Sequence, residues 1–206
     1  MVSKVATSRA RASGGRLLTT AAALLCVLLH ASLGAAEQRT ESVTVREERG
    51  VYTVTARFLV SQSPSVALTV LTDYEQIPRF MPDVRTSTVR ERGNGWAVVE
   101  QEAVSAFMMF SKRVHLILEI DERPDALIFR DRCGRSFSRY AGAWRLSPQD
   151  GQTVITYELV AEPSFDVPGF VLKRLLRRDS TQMIDRLRLE IAARDTLPGL
   201  TTQSLK

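Results

Sequence analysis

Cysteine and histidine are scarce in this sequence, which has two of each among 206 residues. Cys26 and His30 lie in an apolar N-terminal run, so the rest of the chain has only Cys133 and His115. One cysteine cannot form an intrachain disulfide, and one cysteine with one histidine cannot complete a zinc site of the usual kind. The sequence therefore predicts a fold held together by packing, with no structural metal.

Residue patterns typical of catalytic sites are also missing. The sequence contains no glycine-rich phosphate loop and no nucleophile-elbow motif. His115 alternates with Val114 and Leu116 on a predicted strand, so we expect it to face outward as an ordinary surface residue, not to act as a base. We expect Cys133 to be a buried or neutral thiol, and Asp73, at a helix end, to form local hydrogen bonds. These features favour a protein that is not an enzyme and that has neither a cofactor nor a metal ion.

The first 36 residues have the order of a secretory signal peptide. A basic stretch precedes an apolar run at 17–33, and this run ends in small residues at 34–36 before the first acidic residue, Glu37. This order predicts export to the periplasm or secretion, with a retained N-terminal membrane anchor as the alternative. Residues 1–36 hold four of the 28 lysines and arginines and none of the 23 acidic residues, so the remaining chain is nearly neutral. The basic composition therefore does not indicate a nucleic-acid partner.

The remaining chain is predicted to contain one domain at 51–195. Residues 37–50 form an N-terminal leader with a short first strand at 43–46, and residues 196–206 form a flexible tail. After a strand that ends at Val60, Ser63 and Pro64 predict the start of a helix, and a second short helix follows at 75–80. Alternating apolar residues and turn signals then predict six antiparallel strands at 84–92, 96–104, 112–121, 126–133, 137–146 and 153–162.

The longest predicted element is a C-terminal helix of about 25 residues, which begins at Gly169. Its apolar residues recur every three or four positions along one side, at Leu172, Leu175, Leu176, Met183, Ile184, Leu187 and Ile191. Basic residues occupy the opposite side, at Lys173, Arg174, Arg177, Arg178, Arg186 and Arg188. Because one face of an antiparallel sheet needs cover, we expect this helix to close over a curved sheet and to enclose a space suited to a ligand.

Four segments stand out along the chain: LTDYEQIPRFMPDV (71–84), VEQEA (99–103), RYAGAWRLSPQDGQTVITYEL (139–159) and VPGFVLKRLLRRD (167–179). In this order they resemble the START-like (SRPBCC) superfamily, in its polyketide cyclase/dehydrase and coenzyme Q-binding branch. The resemblance implies an α+β helix-grip fold, in which a curved antiparallel sheet of about six to seven strands surrounds the C-terminal helix, with two short helices after the first strand. It also implies an apolar cavity for a lipid, isoprenoid quinone, sterol or polyketide, and a minority of such proteins are enzymes.

The predicted cavity wall combines strand residues with residues of the last helix. Tyr140 and Trp144 share one strand face, and Gly142 between them leaves room for a ligand or the helix to approach. Tyr157 lies on the matching face of the next strand; the alternative is that Trp144 and Tyr157 are core residues beneath the helix. Gln101 is expected to point inward as a polar group, with a satisfied internal hydrogen bond as the alternative. The complete set of candidates is Gln101, Phe107, Met108, Phe110, Leu116, Leu118, Tyr140, Trp144, Tyr157, Phe170, Leu176 and Met183.

Two features indicate a route for the ligand. The apolar connection at 106–110 contains methionines, which adapt readily at binding surfaces; the alternative is a loop packed into the core. The basic residues Lys173, Arg174, Arg177 and Arg178 are expected to contact an anionic membrane, at about 1 kcal/mol each, with simple solvation as the alternative.

The sequence thus supports the hypothesis of an exported START-like domain that binds a hydrophobic small molecule under its last helix, for transport, sequestration or presentation. One alternative is a cyclase- or dehydratase-type enzyme, in which Tyr140, Tyr157 and Gln101 are acid or positioning groups. The other is a module that binds a membrane or a partner protein.

Overall fold

The structure is a computed structural model that describes residues 42–107 and 110–195. Its strands are β1 Ser42–Glu48, β2 Val51–Val60, β3 Val84–Gly93, β4 Trp96–Phe107, β5 Phe110–Arg123, β6 Ala126–Asp131, β7 Phe137–Gln149 and β8 Gln152–Pro163. The helices are α1 Pro64–Thr72, α2 Ile77–Phe80 and α3 Gly169–Asp195, and a 3₁₀ turn at Tyr74–Gln76 precedes α2. The predicted signal peptide and the predicted C-terminal tail lie outside the described residues.

The described strands form one antiparallel sheet in the order β1-β2-β8-β7-β6-β5-β4-β3. This curved, open sheet and the long C-terminal helix confirm the predicted helix-grip fold. The sheet has eight strands, more than the six to seven expected, because β1 pairs with β2 along its whole length, from Ser42 with Arg57 to Glu48 with Val51. The turn between them is tight, and Gly50 occupies it with a φ of 82°, a conformation that glycine adopts without strain.

Helix α1 begins as predicted. The Ser63 hydroxyl accepts a hydrogen bond from the backbone N–H of Val66 at 3.4 Å, and Pro64 occupies the first helical position. The expected local hydrogen bonding of Asp73 is wrong, because its carboxylate accepts a hydrogen bond from Arg194 at the far end of α3, with 2.7 Å between Oδ2 and Nη1. The end of α1 is therefore tied to the end of α3.

Several predicted strand ends differ from the structure, and two of the differences occur at turns. Where a connection was expected at 106–110, β4 continues to Phe107 and β5 begins at Phe110, and these two residues pair; Met108 and Met109 lie outside the described residues. Strand β6 ends at Asp131, two residues earlier than expected. The Asp131 carboxylate accepts hydrogen bonds from the backbone N–H groups of Ile117, Cys133 and Gly134, and these bonds turn the chain.

Helix α3 packs on the concave face of the sheet, where it contacts β1, β2 and β4 as well as α1. Its buried residues are those of the predicted apolar stripe, except Leu176 and Met183, which are partly buried, together with Val171 and Ser180. Ile184 and Ile191 are completely buried, as are Val54 and Ile155 on the sheet. Each such side chain stabilises the fold by about 2 kcal/mol relative to an exposed one, so the helix is an integral part of the core.

Candidate ligand-binding cavity

Side chains do not completely fill the space between α3 and the sheet. A cavity of about 470 Å³ lies there, within the range of about 300–1,000 Å³ that is typical of small-molecule sites. Most of its wall is aliphatic or aromatic and comes from β4 to β8 and the helices. The packed core described above surrounds this cavity but does not fill it.

The structure brings together eight of the twelve predicted wall residues: Gln101, Leu116, Leu118, Tyr140, Trp144, Tyr157, Leu176 and Met183. Phe170 does not lie on the wall, and 77% of it is exposed. The reason is its position on α3, where the adjacent Val171 and Leu172 take the buried side. Phe107 and Phe110 lie in the strands of the hairpin, but their side chains and the whole of Met108 lie outside what the structure describes.

Helices α1 and α2 supply a part of the wall that the sequence analysis missed. The residues involved are Val70, Leu71, Tyr74, Ile77, Phe80 and Met81. Their spacing of three or four positions was a usable signal, because it continues the apolar stripe of α1 across the 3₁₀ turn. The Tyr74 hydroxyl donates a hydrogen bond to Glu122 Oε1 at 2.8 Å, which fixes this corner to the end of β5.

Five aromatic rings from β6, β7 and β8 form a connected group beside the cavity. Phe137 contacts Tyr140, with ring centroids 5.0 Å apart, and Tyr140 is 6.1 Å from Phe129. Phe129 in turn is 6.4 Å from Tyr157, which lies 4.3 Å from Trp144. Such ring contacts contribute about 0.5–1.5 kcal/mol each beyond the area that they bury, so this side of the cavity is preformed.

Gly142 lies in the middle of this aromatic group. A Cβ atom there would lie 2.7 Å from Cζ of Phe129 and would overlap the backbone carbonyl oxygen of Glu158. The prediction that Gly142 leaves room for a ligand or the helix is therefore wrong: the Phe129 ring and the neighbouring strand occupy that space.

The tyrosines provide neutral polar groups on this apolar wall. The side chains of Tyr140 and Tyr157 influence each other's ionisation. Burial raises the pKa of Tyr140 to about 12, and burial together with Tyr140 raises the pKa of Tyr157 further above its ordinary value. Groups with such pKa values are poorly matched to proton transfer at neutral pH. The two hydroxyls are better suited to hydrogen bonding.

Gln101 fits both of the alternatives predicted for it. It lines the cavity, and its Nε2 donates a hydrogen bond to the hydroxyl of the buried Ser87 at 3.1 Å. One end of the amide is thus satisfied internally, and the residue remains a polar position in an otherwise apolar wall.

Charged residues are also present on the cavity wall. Arg186 was expected on the outer side of α3, but it is partly buried and lines the cavity. The reason is helical geometry: Gln182 and Met183, one turn earlier, also line the cavity. Lys112 of β5 lies at another part of the wall, with its Nζ atom 4.6 Å from the ring centroid of Phe165 in the β8–α3 connection.

His115 lies on the opposite face of the sheet from Leu116, as expected, but it is not an ordinary surface residue. Only 17% of its side chain is exposed, and its Nε2 is 2.8 Å from Glu100 Oε1. The hydrogen bond with His115, aided by the ion pair with Arg90, holds the pKa of Glu100 below its ordinary value. Cys133 is partly buried beside the ring, with Sγ 3.6 Å from Nδ1. Within 42–107 and 110–195, histidine, cysteine and carboxylate side chains form no group of three or more suited to a metal ion.

Part of the basic set predicted for the outer side of α3 is exposed there. Lys173, Arg174 and Arg177 are exposed, and Arg178 forms an ion pair with Asp179 at 2.8 Å. None of the helices that the structure describes is long and apolar enough to cross a membrane.

Comparisons with known proteins give one family and one fold. Residues 60–188 match the family model described as polyketide cyclase/dehydrase and lipid transport. The structure is similar to the Zhui aromatase/cyclase from Streptomyces sp. R1128, with 16% identity, a TM-score of 0.62, and coverage of 72% of this chain and 98% of that one. It is also similar to a STAR-related lipid transfer protein from Xanthomonas axonopodis, with 14% identity, a TM-score of 0.57, and coverage of 74% and 98%. No curated protein matches by sequence.

A START superfamily protein from Mycobacterium smegmatis has the same fold, with 15% identity, a TM-score of 0.59, and coverage of 68% of this chain and 97% of that one. At these identities the structural likeness shows a shared fold and not a shared ligand.

Proposed function

Because the chain belongs to the polyketide cyclase/dehydrase and lipid transport family, we propose that it carries a lipid, an isoprenoid quinone or a polyketide-like molecule in the cavity beneath α3. The observation that carries this proposal is the cavity of about 470 Å³ with its wall of aromatic and aliphatic side chains. Apolar surface that faces a cavity is stabilised when a hydrophobic molecule replaces water there. Transport, sequestration or presentation of that molecule is the function that such binding serves.

Extraction of the purified protein with organic solvent, followed by mass spectrometry, tests this proposal. The expected result is a copurified apolar molecule, or else saturable binding of added quinone, fatty acid or phospholipid. A cavity-filling variant, Met183→Trp, is expected to retain several-fold less ligand, because Met183 lines the cavity from α3.

The matched control is Leu189→Trp, which places the same side chain on the same helix at a position that is 71% exposed. This control should bind as the wild type does. If the protein yields no apolar ligand and binds none of the three classes, the proposal is wrong.

We also propose that the protein is exported, because of the charge order and the small-residue site in residues 1–36. The test is expression of the full sequence in a bacterial host, followed by cell fractionation and N-terminal sequencing. A mature N-terminus near Glu37 in the periplasm or medium supports export, and an intact N-terminus in the membrane fraction supports the anchored alternative.

A third proposal concerns docking at a membrane. The exposed cations Lys173, Arg174 and Arg177 follow Phe170, which is 77% exposed at the start of α3. An exposed aromatic ring next to cations suits the surface of an anionic bilayer. We propose that this side of α3 contacts such a surface when the ligand enters or leaves.

Flotation with vesicles of phosphatidylserine and phosphatidylcholine tests the membrane contact. The double substitution Lys173→Glu and Arg177→Glu should reduce flotation. The control, Arg139→Glu and Arg145→Glu, makes the same change of charge at exposed positions of β7. Equal flotation of the two double variants would exclude an electrostatic contact through α3.

A further inference from the structure

We propose that the ligand of the cavity is an amphiphile with an anionic head group, a carboxylate or a phosphate, and that Arg186 binds this head group. The inference rests on the proposed binding function and makes it more specific. It depends on an arginine that the apolar pattern of α3 assigns to the outer side of the helix but that the structure places on the cavity wall.

Within the part of the chain that the structure describes, Arg186 lacks an ion-pair partner, unlike two other partly buried arginines of α3. Arg178 pairs with Asp179, and Arg194 pairs with Asp73 and Glu190. Arg186 forms no ion pair or hydrogen bond with any residue in the described ranges. A guanidinium that loses part of its water without gaining a partner raises the free energy of the folded protein, so the site favours a ligand that supplies an anion.

The chemistry of the guanidinium identifies the class of head group. Its N–H donors form a planar fork that matches two oxygens of a carboxylate or a phosphate. A neutral apolar ligand would bury the charge further and leave it unpaired, which opposes binding. The surrounding wall, with Leu116, Leu118 and Trp144, provides the apolar surface for the tail of the same molecule.

The acidic residues of the wall do not cancel this charge. Asp179 is held by Arg178 and lies seven positions before Arg186, about 10 Å along the helix. Asp83 and Asp166 also line the cavity, but both are exposed, so water screens their repulsion of an anion. Lys112, a second cation on the wall, is exposed as well, so water screens its charge in the same way and Arg186 is the cation that the proposal depends on.

Two probes that share one hydrocarbon chain but differ in the charge of the head group separate the effect of charge from that of apolar surface. Oleate and oleyl alcohol, both below their aggregation concentrations, are titrated against the wild-type protein by calorimetry. We expect oleate to bind at least roughly tenfold more tightly, as for a charge-assisted hydrogen bond. Arg186→Gln should abolish this preference. The control Arg145→Gln, an equal change of charge at an exposed position of β7, should keep it.

The other arms of the experiment identify the source of the anion. Dodecyl phosphate should bind with a similar dependence on Arg186, whereas acetate and inorganic phosphate at the same concentration should not displace oleate. Displacement of oleate by these small anions would show that the site binds simple anions, and the proposal of an amphiphilic ligand would be wrong. If Arg186→Gln does not fold, Arg186→Lys provides the test, because it keeps the charge without the fork and should show an intermediate preference.

The outcomes separate this inference from the proposed function. If the wild type binds neither oleate nor oleyl alcohol and no other apolar ligand, the binding function itself fails. If it binds both probes equally, the binding function stands and the anionic head group is wrong. An equal loss of preference in Arg145→Gln and Arg186→Gln would assign the effect to overall charge and would also contradict the role of Arg186.

Discussion

The indole ring of Trp144 lies against the ring of Tyr157, with centroids 4.3 Å apart and ring planes inclined by 34°. The two residues are direct partners on the paired strands β7 and β8, so the contact is a cross-strand aromatic pair. Tyr157 is only 4% exposed, whereas Trp144 is partly buried. Both line the cavity, and Tyr157 is at the same time a residue of the core.

Trp144 is therefore expected to report ligand binding through its fluorescence. In a Trp96→Phe variant it is the remaining tryptophan of the chain. Adding an apolar ligand to this variant should shift the emission of Trp144 to shorter wavelength or quench it, because the ligand replaces water next to the ring. The measurement is a fluorescence titration compared with calorimetry on the same protein.

The reciprocal variant, Trp144→Phe, is the control. Its remaining tryptophan, Trp96, is 43% exposed and is not among the cavity-lining residues. Its emission should not change with ligand. Calorimetric binding without any change in the emission of Trp144 would contradict the placement of the ligand against this wall.

Gly142→Ala is expected to destabilise the fold by about 3 kcal/mol, in the range of an overpacked core. The added methyl group would meet the Glu158 carbonyl oxygen, and it would lie 2.7 Å from Phe129 Cζ. The carbonyl oxygen belongs to the adjacent strand and cannot move without disturbing the pairing of β7 with β8. Urea unfolding of the variant and the wild type gives the difference in free energy.

Gly151→Ala is the matched control, since Gly151 has open space around it and a φ of 77°. That substitution should cost only about 1 kcal/mol, from the left-handed backbone conformation. A loss of stability in Gly142→Ala no greater than in Gly151→Ala would show that the strands can separate to admit a side chain.

The sequence and the structure agree best where local residue types decide the outcome. A turn signal between the predicted strands at 84–92 and 96–104 indicated the hairpin between β3 and β4, and Gly169 with the apolar repeat after it predicted the start of α3. Ser63 and Pro64 predicted the start of α1 for the same kind of reason. In each case the residues that fix the turn or the start of the helix lie within a few positions of one another in the sequence.

The predictions that are wrong depend on contacts between distant elements. The space above Gly142 is filled by Phe129 of the neighbouring strand β6, and periodicity within β7 does not indicate the size of that neighbour. Arg186 lines the cavity because the cavity face of α3 is wider than its apolar stripe. The partner of Asp73 is more than a hundred positions away. Only the three-dimensional arrangement supplies such information.

Protonation of Glu100 is expected to account for part of the free energy of unfolding that the protein loses in acid. Because its hydrogen bond with His115 and its ion pair with Arg90 lower the pKa in the folded protein, the unfolded chain takes up a proton first as the pH falls. The contribution of Glu100 is therefore complete above the ordinary pKa of 4.5 and is lost as the pH falls through the lower folded pKa. Glu100→Gln should lose less stability than the wild type between about pH 6 and about pH 3.

Thermal unfolding at several pH values measures this difference. The control is Glu102→Gln, which removes an exposed carboxylate from the same strand. It should follow the pH dependence of the wild type. The same reduced acid sensitivity in both variants would assign the effect to net charge and not to the contacts of Glu100.

Arg194 and Asp73 are expected to stabilise the fold jointly by about 1 kcal/mol, the upper part of the range for partly exposed ion pairs. Their Nη1 and Oδ2 atoms are 2.7 Å apart, and the side chains are 26% and 34% exposed. The measurement is a double-mutant cycle with Asp73→Asn, Arg194→Gln and the double variant, each unfolded in urea. The cycle is needed because Arg194 also pairs with Glu190 at 2.9 Å, and Arg194→Gln removes both contacts.

A second cycle on Asp121 and Arg123 provides the comparison. This pair has the same distance of 2.7 Å, but its side chains are 51% and 54% exposed and lie two positions apart on one strand. Water screens such a pair, and it connects no distant elements, so its coupling energy should be close to zero. A larger coupling for Asp73 and Arg194 would show that the contact holds the end of α3 to the end of α1. Equal coupling energies in the two cycles would instead show that the packing of Leu187 and Ile191 alone fixes this end of the helix over the cavity.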